Sequence, residues 1–361
     1  MEDNKKSSLK GFKIFIIIFL ILSMFLLKED NQNKLMRFLD SIGGKAKVLE
    51  LVDSFENEGD IENINIYDGT VVKWGNNKIS FMKTDGTLIL EKELNFTDPF
   101  IYYGDKYIYV MDKSTGDIYS FDKKGETIDR LQLSKEIFNI KESHQNLICH
   151  IKSLDVESIS ILDKNRASIG NHSYEKKNIL TYTTNNEGTI SAISLLVLNE
   201  GVLKSQIECY GENNEKINSL DIAGELVIYL DFSEKGEIIA LSDRSLYFIK
   251  DGKVMWKKQF DLIKDIYLRK DKIYILYSNY LEAIDFNGRT QNKIGFAEEY
   301  KKILPFEEKT LIYGDNYITI IERDKQILKH EDKINGVFIS KGQILLWNPD
   351  QIKTYKLSNK K

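Results

Sequence analysis

Three side chains of metal-binding type sit close together in the chain: His144, Cys149 and His150. Imidazole nitrogen and thiolate sulfur are the usual ligands of zinc, at about 2.0–2.3 Å. The spacing works against a shared ion. On a strand, residues 149 and 150 point to opposite faces, and the step from His144 to His150 spans about 20 Å. The three could meet one metal only if the chain doubled back between them, so surface and core positions are the preferred reading. Asp112–Asp117 (DKSTGD) offers a second group of oxygen ligands. A calcium loop of the EF-hand kind needs oxygens at its first, third and fifth places and glycine at the sixth. Here Gly116 is fifth and Asp117 sixth, so the register fails and a hairpin turn is expected. The sequence holds no G-x-x-x-x-G-K-[ST] phosphate loop, no G-x-S-x-G elbow and no C-x-x-C-H haem site. No catalytic, cofactor-binding or metal residue is assigned, and no cofactor is expected.

Charge narrows the partners. The 361 residues carry a net charge of −4, and the sequence pI is about 5.8. That leaves no basic field to attract nucleic acid phosphates. Lys exceeds Arg, and Ile and Asn are abundant, as in AT-rich bacterial genomes. A soluble part of roughly 300 residues can bury about three quarters of its unfolded surface, so a large core is available.

One segment belongs to a different class. Ile14, Phe15, Ile16, Ile17, Ile18, Phe19, Leu20, Ile21, Leu22, Ser23, Met24, Phe25, Leu26 and Leu27 form an uncharged run. Extended back to Leu9 it covers about 19 residues, or roughly 28 Å of helix. Lys10, Lys13 and Lys28 stand at its ends, where their stems can snorkel to the headgroups. A cleaved signal peptide would need small residues in an A-x-A-like pattern after the run. Lys28-Glu29-Asp30-Asn31 follows instead, and no lipidation Cys is present. A membrane anchor contacting the lipid bilayer is the preferred reading. Lys5, Lys6, Lys10 and Lys13 precede it, while Lys28 is met by Glu29 and Asp30. By the positive-inside rule the N-terminus is cytoplasmic. The chain is then a single-pass protein of the cell membrane with an extracytoplasmic C-terminal domain. Cys149 and Cys209 fall in that exported part, where a bridge is chemically allowed. Two buried free thiols are preferred, because Cys is among the most buried residue types.

The expected organisation is residues 1–13 cytoplasmic, 14–27 transmembrane, 28–62 a juxtamembrane connector and 63–361 one domain. Within the connector, Lys34–Ile42 has helical character, ended by Gly43-Gly44. Ala46–Phe55 reads as helix or strand, and Phe55–Asn63 as a solvated acidic link.

From Ile64 a strand–turn phrase keeps returning. Its clearest copy is Phe100–Glu126, FIYYGDKYIYVMDKSTGDIYSFDKKGE. Hairpin markers recur at Asp85-Gly86, Lys124-Gly125, Lys164-Asn165, Glu212-Asn213, Asp251-Gly252, Asn287-Gly288, Asp324-Lys325 and Ser358-Asn359. Asn-Gly and Asp-Gly suit such turns because they reach positive φ at little cost. An alternating strand precedes each marker, from Ile79–Lys83 to Gln351–Leu357. An earlier strand precedes many of these, as in Tyr107–Met111, Ile238–Leu241, Ile273–Tyr277, Thr310–Tyr313 and Gln343–Trp347. The windows show period two rather than 3.6. A repeat near 40 residues made only of strands fits four-stranded blades stacked in a ring. The fold expected is all-β: a β-propeller of about eight four-stranded blades, preceded by one transmembrane helix. The third and fourth units, Ile137–Leu220, are the least regular, so seven blades with an insertion is the alternative. The last unit ends before a fourth strand. Ala46–Leu51 or Ile64–Tyr67 is expected to supply it.

Ile108-Tyr109-Val110-Met111-Asp112 followed by Gly116-Asp117-Ile118-Tyr119-Ser120-Phe121-Asp122 resembles the repeats of quinoprotein-like (PQQ-like) propellers. Leu281–Gly288 (LEAIDFNG) keeps the cadence, with Asp285 and Gly288 matching Asp122 and Gly125. Glu282 departs from it, replacing the aromatic found at Tyr119. Residues 60–361 together with the anchor resemble membrane-anchored propeller proteins of clostridia and related Firmicutes, a domain family of unknown function. Quinone-dependent enzymes of this architecture imply adjacent cysteines, a bound calcium and a ring of polar side chains. The chain has no adjacent cysteines, so an enzyme is the less favoured reading. The motifs specify scaffold rather than chemistry.

The expected function is therefore a non-catalytic binding or scaffold module in the cell envelope, with an envelope protein or the cell wall as partner. The alternatives are a lyase- or dehydrogenase-type propeller enzyme with a site dispersed around the central channel, and a structural subunit of an envelope complex. Convergent carboxylates with Arg or His at the channel would favour chemistry, whereas one broad apolar patch would favour assembly. Trp74, Trp256 and Trp347 are expected to pack between blades.

Overall fold

The computed structural model describes residues 46–57, 61–143, 146–199, 201–323 and 325–360. Among these, every regular element is a β-strand, and the strands form eight four-stranded sheets. The chain is an eight-bladed β-propeller. By compactness it divides into a large unit, Glu50–Lys356, and a small one, Met1–Leu49 with Leu357–Lys361. In the small unit the described residues are strand ends, joined where the Lys360 N–H donates to the Ala46 carbonyl.

Blades 1 to 7 span Asn63–Glu93, Pro99–Gln132, Ile137–Glu175, Asn178–Ala223, Val227–Gln259, Ile263–Gly295 and Lys302–Glu331, each holding four consecutive antiparallel strands. The first strands of blades 4 and 5, 6 and 7, 7 and 8, and 8 and 1 touch one another, which places the first strands innermost. The second and third strands are covered on both faces. This is why Ile108–Asp112 and Ile238–Ser242, apolar but for their last residues, and Ile273–Tyr277, apolar along its length, are buried throughout. Fourth strands alternate between exposed and half-buried residues and form the rim. Apolar clusters fill the gaps between blades. Val72, Trp74 and Phe81 of blade 1 meet Ile108, Val110 and Phe121 of blade 2. Ile64, Ile66 and Val71 of blade 1 meet Leu345 and Ile352 of blade 8, which closes the ring.

The aspartate–glycine signature has a structural meaning in the turn between third and fourth strands. Asp122 Oδ1 accepts the N–H groups of Lys124 and Glu126, and the Gly125 N–H returns to the Asp122 carbonyl. Asp163 and Asp285 cap their turns in the same way. Gly125 has a φ of +90°, and a Cβ there would lie 2.8 Å from Leu90 and Phe81 of the preceding blade. The glycine serves both the turn and the packing of one blade on the next. In blades 3 and 4 the turns fall where expected, but the left-handed residues are Arg166 (φ 66°) and Asn214 (φ 64°), just after the marked pairs Lys164-Asn165 and Glu212-Asn213. Asp324 lies outside the described residues.

The alternatives left open by the sequence are resolved in favour of eight blades and of the segment around Ala46–Leu51, and one turn marker changes. Units 3 and 4 are complete blades rather than an insertion, so the count is eight. They look irregular because their strands run to seven, eight and nine residues. Ser358-Asn359 is no turn, since the strand Gln351–Asn359 runs through it. Of the two segments proposed to complete the last blade, Ile64–Tyr67 is the innermost strand of blade 1. The missing fourth strand is Lys47–Glu56, which pairs with Gln351–Asn359 beside Gln343–Trp347 and Gly336–Ser340. The Asn57 N–H donates to the Asp350 carbonyl at one end of this seam. Strand structure thus begins inside the stretch assigned to the connector 28–62. The run Ile14–Leu27 and the helical stretch Lys34–Ile42 lie outside the described residues, among which no helix is long and apolar enough to cross a membrane.

Candidate partner-binding face

Antiparallel order places the turns between second and third strands, and the links between blades, on one face, called upper here. The other two turns of each blade lie on the lower face. The first strands of blades 3 to 6 each break register near their upper end, at Ile137/Asn139, Ile179/Thr181, Val227/Tyr229 and Ile263/Asp265. The extra residues are Phe138, Leu180, Ile228 and Lys264. Such bulges redirect side chains and gather beside functional sites. The first strands of blades 1, 2, 7 and 8 pair without interruption.

The bulges turn apolar side chains outward. Phe138 and Ile228 are about half exposed, at 51% and 55%. The same face of the same four blades exposes Leu154, Leu198, Val202, Leu262 and Tyr280. Among the described residues, no large apolar side chain is exposed on the upper face of blades 7, 8, 1 and 2. Isolated exposed apolar residues are ordinary, but a confined group marks an interaction surface. Cations flank the aromatic members: Lys152 Nζ lies 5.3 Å from the Phe138 ring centroid and Lys293 Nζ 4.1 Å from that of Tyr280.

Buried carboxylates and hydroxyls hold this face in shape by tying each blade to the start of the next. Glu157 accepts the Ile179 N–H at 2.7 Å, His150 Nε2 at 3.1 Å and Lys152 Nζ at 2.8 Å. Burial alone would raise the Glu157 carboxyl, but bonds from Lys152, Ile179 and His150 outweigh it and hold it below the usual range. Burial keeps His150 below the ordinary imidazole value against the pull of Glu157. At the fourth-to-fifth junction, Ser205 Oγ accepts the Val227 N–H and Asp243 the Leu226 N–H. Glu225 there receives Ser242, Ser245 and Lys257. In blade 6, Glu282 accepts Tyr277, Thr290 and Lys258. The departure from the repeat at Glu282 is thus a buried, fully engaged carboxylate.

Residues singled out in the sequence find structural places. Cys149 packs with Ile140 and Leu162 in the cluster between blades 2 and 3, whereas His150 stacks edge-on against Phe138 and Tyr182 on the opposite side. His144 lies outside the described residues. Cys149 and Cys209 are buried free thiols, both pushed up to about 12 by burial. Asp112–Asp117 is a hairpin turn in which Asp112 binds Ser114 and the N–H groups of Thr97 and Asp98, again tying a blade to the link before it. Trp74 is core. Trp256 lies parallel to Phe248 and donates its indole N–H to the Phe286 carbonyl. Trp347 is half-buried, its indole nitrogen without a partner among the described residues. On the innermost strands, Lys141 donates to the Tyr182 carbonyl, Tyr229 to Asp231, and the Ile303 N–H to Asp265. Burial lowers Lys141 and raises Asp265. Among the described residues no three His, Cys, Asp or Glu side chains could hold a metal. The bulged arc was not foreseen. Its trace in the sequence is an apolar residue standing out of phase at the start of three successive first strands, Phe138, Leu180 and Ile228, with Lys264 in that place in the fourth.

None of the curated proteins matches this chain. Solved structures do. BamB from Moraxella catarrhalis is 11% identical, with a TM-score of 0.58 over 86% of this chain and 100% of that one. The C-terminal WD40 domain of Sif2 is 11% identical, with a TM-score of 0.60 over 88% and 100%. The Dos1 propeller is 9% identical, with a TM-score of 0.59 over 86% and 96%. At such identities the likeness concerns the fold. A family model matches residues 45–361, from just before the seam strand to the end, and the chain belongs to the family of unknown function DUF5711.

Proposed function

We propose that this protein is a membrane-tethered binding propeller of the cell envelope, with Ile14–Leu27 as its anchor, its propeller outside the cytoplasm, and the upper face of blades 3 to 6 as its protein-docking surface. The observation that carries the reading is the confinement of seven exposed apolar side chains to one face of four adjacent blades. Their bulged strands and clamped junctions give a preformed surface, which lowers the ordering cost of binding. The flanking charge and the uncharged run at the N-terminus support the tether and its direction, in keeping with the membrane-anchored Firmicutes propellers that the repeats resemble. The engaged carboxylates of the innermost strands favour binding over chemistry.

The test is site-specific photo-crosslinking of the full chain in its own membranes. A photoreactive residue at Ile228 or Leu262 is expected to give a discrete adduct, and one at the lower-face positions Lys124 or Asn287 none. Phe138→Asp combined with Leu198→Asp should remove the adduct while leaving the circular dichroism unchanged. Equal labelling from both faces, or an adduct insensitive to the substitutions, overturns the proposal.

A further inference from the structure

The lower face holds a cleft of about 440 Å³ between blades 3 and 4, within the usual size range of small-ligand sites. Its cause is one residue. Where each third strand pairs with its fourth, a bulge follows the turn, and the next residue points at the neighbouring blade. That position is Leu90, Asp129, Asn218, Trp256, Asn292 and Leu328 in blades 1, 2, 4, 5, 6 and 7. In blade 3 it is Gly170, paired with Ile161. A side chain is missing where six other blades have one, and the space stays open.

Two polar side chains face this space without partners. His172, two residues along the same side of the strand, is 6% exposed, and its ring lies 3.8 Å from that of Tyr210. Among the described residues nothing hydrogen-bonds its ring nitrogens, unlike those of His150. Ser191, opposite Tyr210 on blade 4, is also 6% exposed, and its hydroxyl makes no hydrogen bond to a described residue. Neither the ring nitrogens nor the hydroxyl is sealed off from solvent, so both side chains are free to bond with whatever occupies the cleft. Asn214 Oδ1 adds an acceptor 3.5 Å from where a Cβ on Gly170 would sit. Burial keeps His172 below the ordinary imidazole value, so its ring is neutral and offers one donor and one acceptor.

The charges at the mouth are Asp163, Glu187 and Glu212 against Lys164, which disfavours anions. Ile161 and Ile169 supply an apolar wall. Neutral donors and acceptors beside a small apolar wall suit a ligand that carries hydroxyls on one side and C–H groups on the other. We propose that this cleft is a saccharide-binding site, with His172, Ser191 and Asn214 taking sugar hydroxyls or an acetamido group. It lies on the opposite face from the apolar arc and does not depend on that reading.

The chain has four histidines, so His172 can be followed by its ring resonances, assigned by loss in His172→Gln. The full chain in mild detergent is titrated with diacetylchitobiose and with maltose, and separately with enzymatically released wall glycan, to distinguish soluble sugar from polymer. A saturable shift of His172, with His150 and His330 unmoved, is expected from at least one of these probes. Gly170→Leu fills the cleft. Leucine occupies the same site in blades 1 and 7, and the nearest atom to an added Cβ is the flexible end of Ile161 at 3.3 Å. That variant should weaken binding at least tenfold with the spectrum otherwise retained. No shift with any saccharide, an equal shift in Gly170→Leu, or a shift with putrescine alone overturns the proposal.

Discussion

Replacing Glu157 by Ala removes the clamp between blades 3 and 4, and the cost can be worked from its partners. The buried Ile179 N–H loses its acceptor, at about 1–3 kcal/mol. The His150 ring loses its partner in the same apolar surroundings, at a further 1–3 kcal/mol. Lys152, whose side chain is 46% exposed, returns to water at about 0–1 kcal/mol. The sum is about 4 kcal/mol. With a urea m of about 3 kcal/mol/M, the midpoint falls by roughly 1.3 M. Glu157→Gln keeps an acceptor for Ile179 and should cost only about 1–2 kcal/mol. The assay is urea unfolding followed by tryptophan fluorescence and circular dichroism, with coincident transitions required. The pH dependence adds a second check. Glu157 is depressed in the folded state, so its contribution is full above the ordinary carboxylate range and is lost as pH falls through the lower folded value. The gap between wild type and Glu157→Ala should persist from pH 7 to pH 5 and close in stronger acid. A midpoint shift below about 0.3 M at pH 7, or a gap that widens on acidification, refutes the reasoning.

Three further outcomes are expected. His150, His172 and His330 are all lowered by burial, so stability should be full above about pH 6.5 and fall as pH drops below it; a urea midpoint unchanged between pH 7.5 and 5.5 would contradict this. Gly125→Ala combines a φ of +90° with a Cβ 2.8 Å from Leu90 and Phe81, and should cost about 3 kcal/mol. Gly201→Ala, at φ +78° in open space, should cost only about 1 kcal/mol, and thermal unfolding of the two variants compares them. Cys149 and Cys209 should resist Ellman's reagent at pH 8 in the folded protein and yield two thiols per chain in urea; rapid native labelling, or a mobility change on reduction, would count against buried free thiols.

The blades were legible because a sheet covered on both faces needs apolar second and third strands, and those runs recur with the turn that Asp122 and Gly125 close. The seam was half legible. The missing fourth strand was evident from the end of the chain, but the choice between Ala46–Leu51 and Ile64–Tyr67 rests on which apolar face meets blade 8, a long-range fact. The candidate sites were hidden for a different reason. A bulge moves Phe138 and Ile228 outward without changing composition, and Gly170 means a cavity only once it is aligned with Leu90, Asn218 and Trp256 in space. The short motifs that drew attention first, around His150 and Asp112, are structural, since both carboxylate partners spend their bonds on neighbouring backbone.

The last blade takes three strands from the end of the chain and its rim strand from near the beginning. Asn57 and Pro349 bond across it although they stand 292 positions apart in the chain. The strand that closes the ring is thus translated first and paired last. Bringing its ends together costs about 5 kcal/mol in loop entropy, more than any hairpin in the other blades. During synthesis, Lys47–Glu56 must wait unpaired until Gln351–Asn359 emerges, with an open edge on offer to other strands. If the proposed anchor holds the N-terminus, a pull on it would load this joint before any other, and the last pairing to form would be the first to fail.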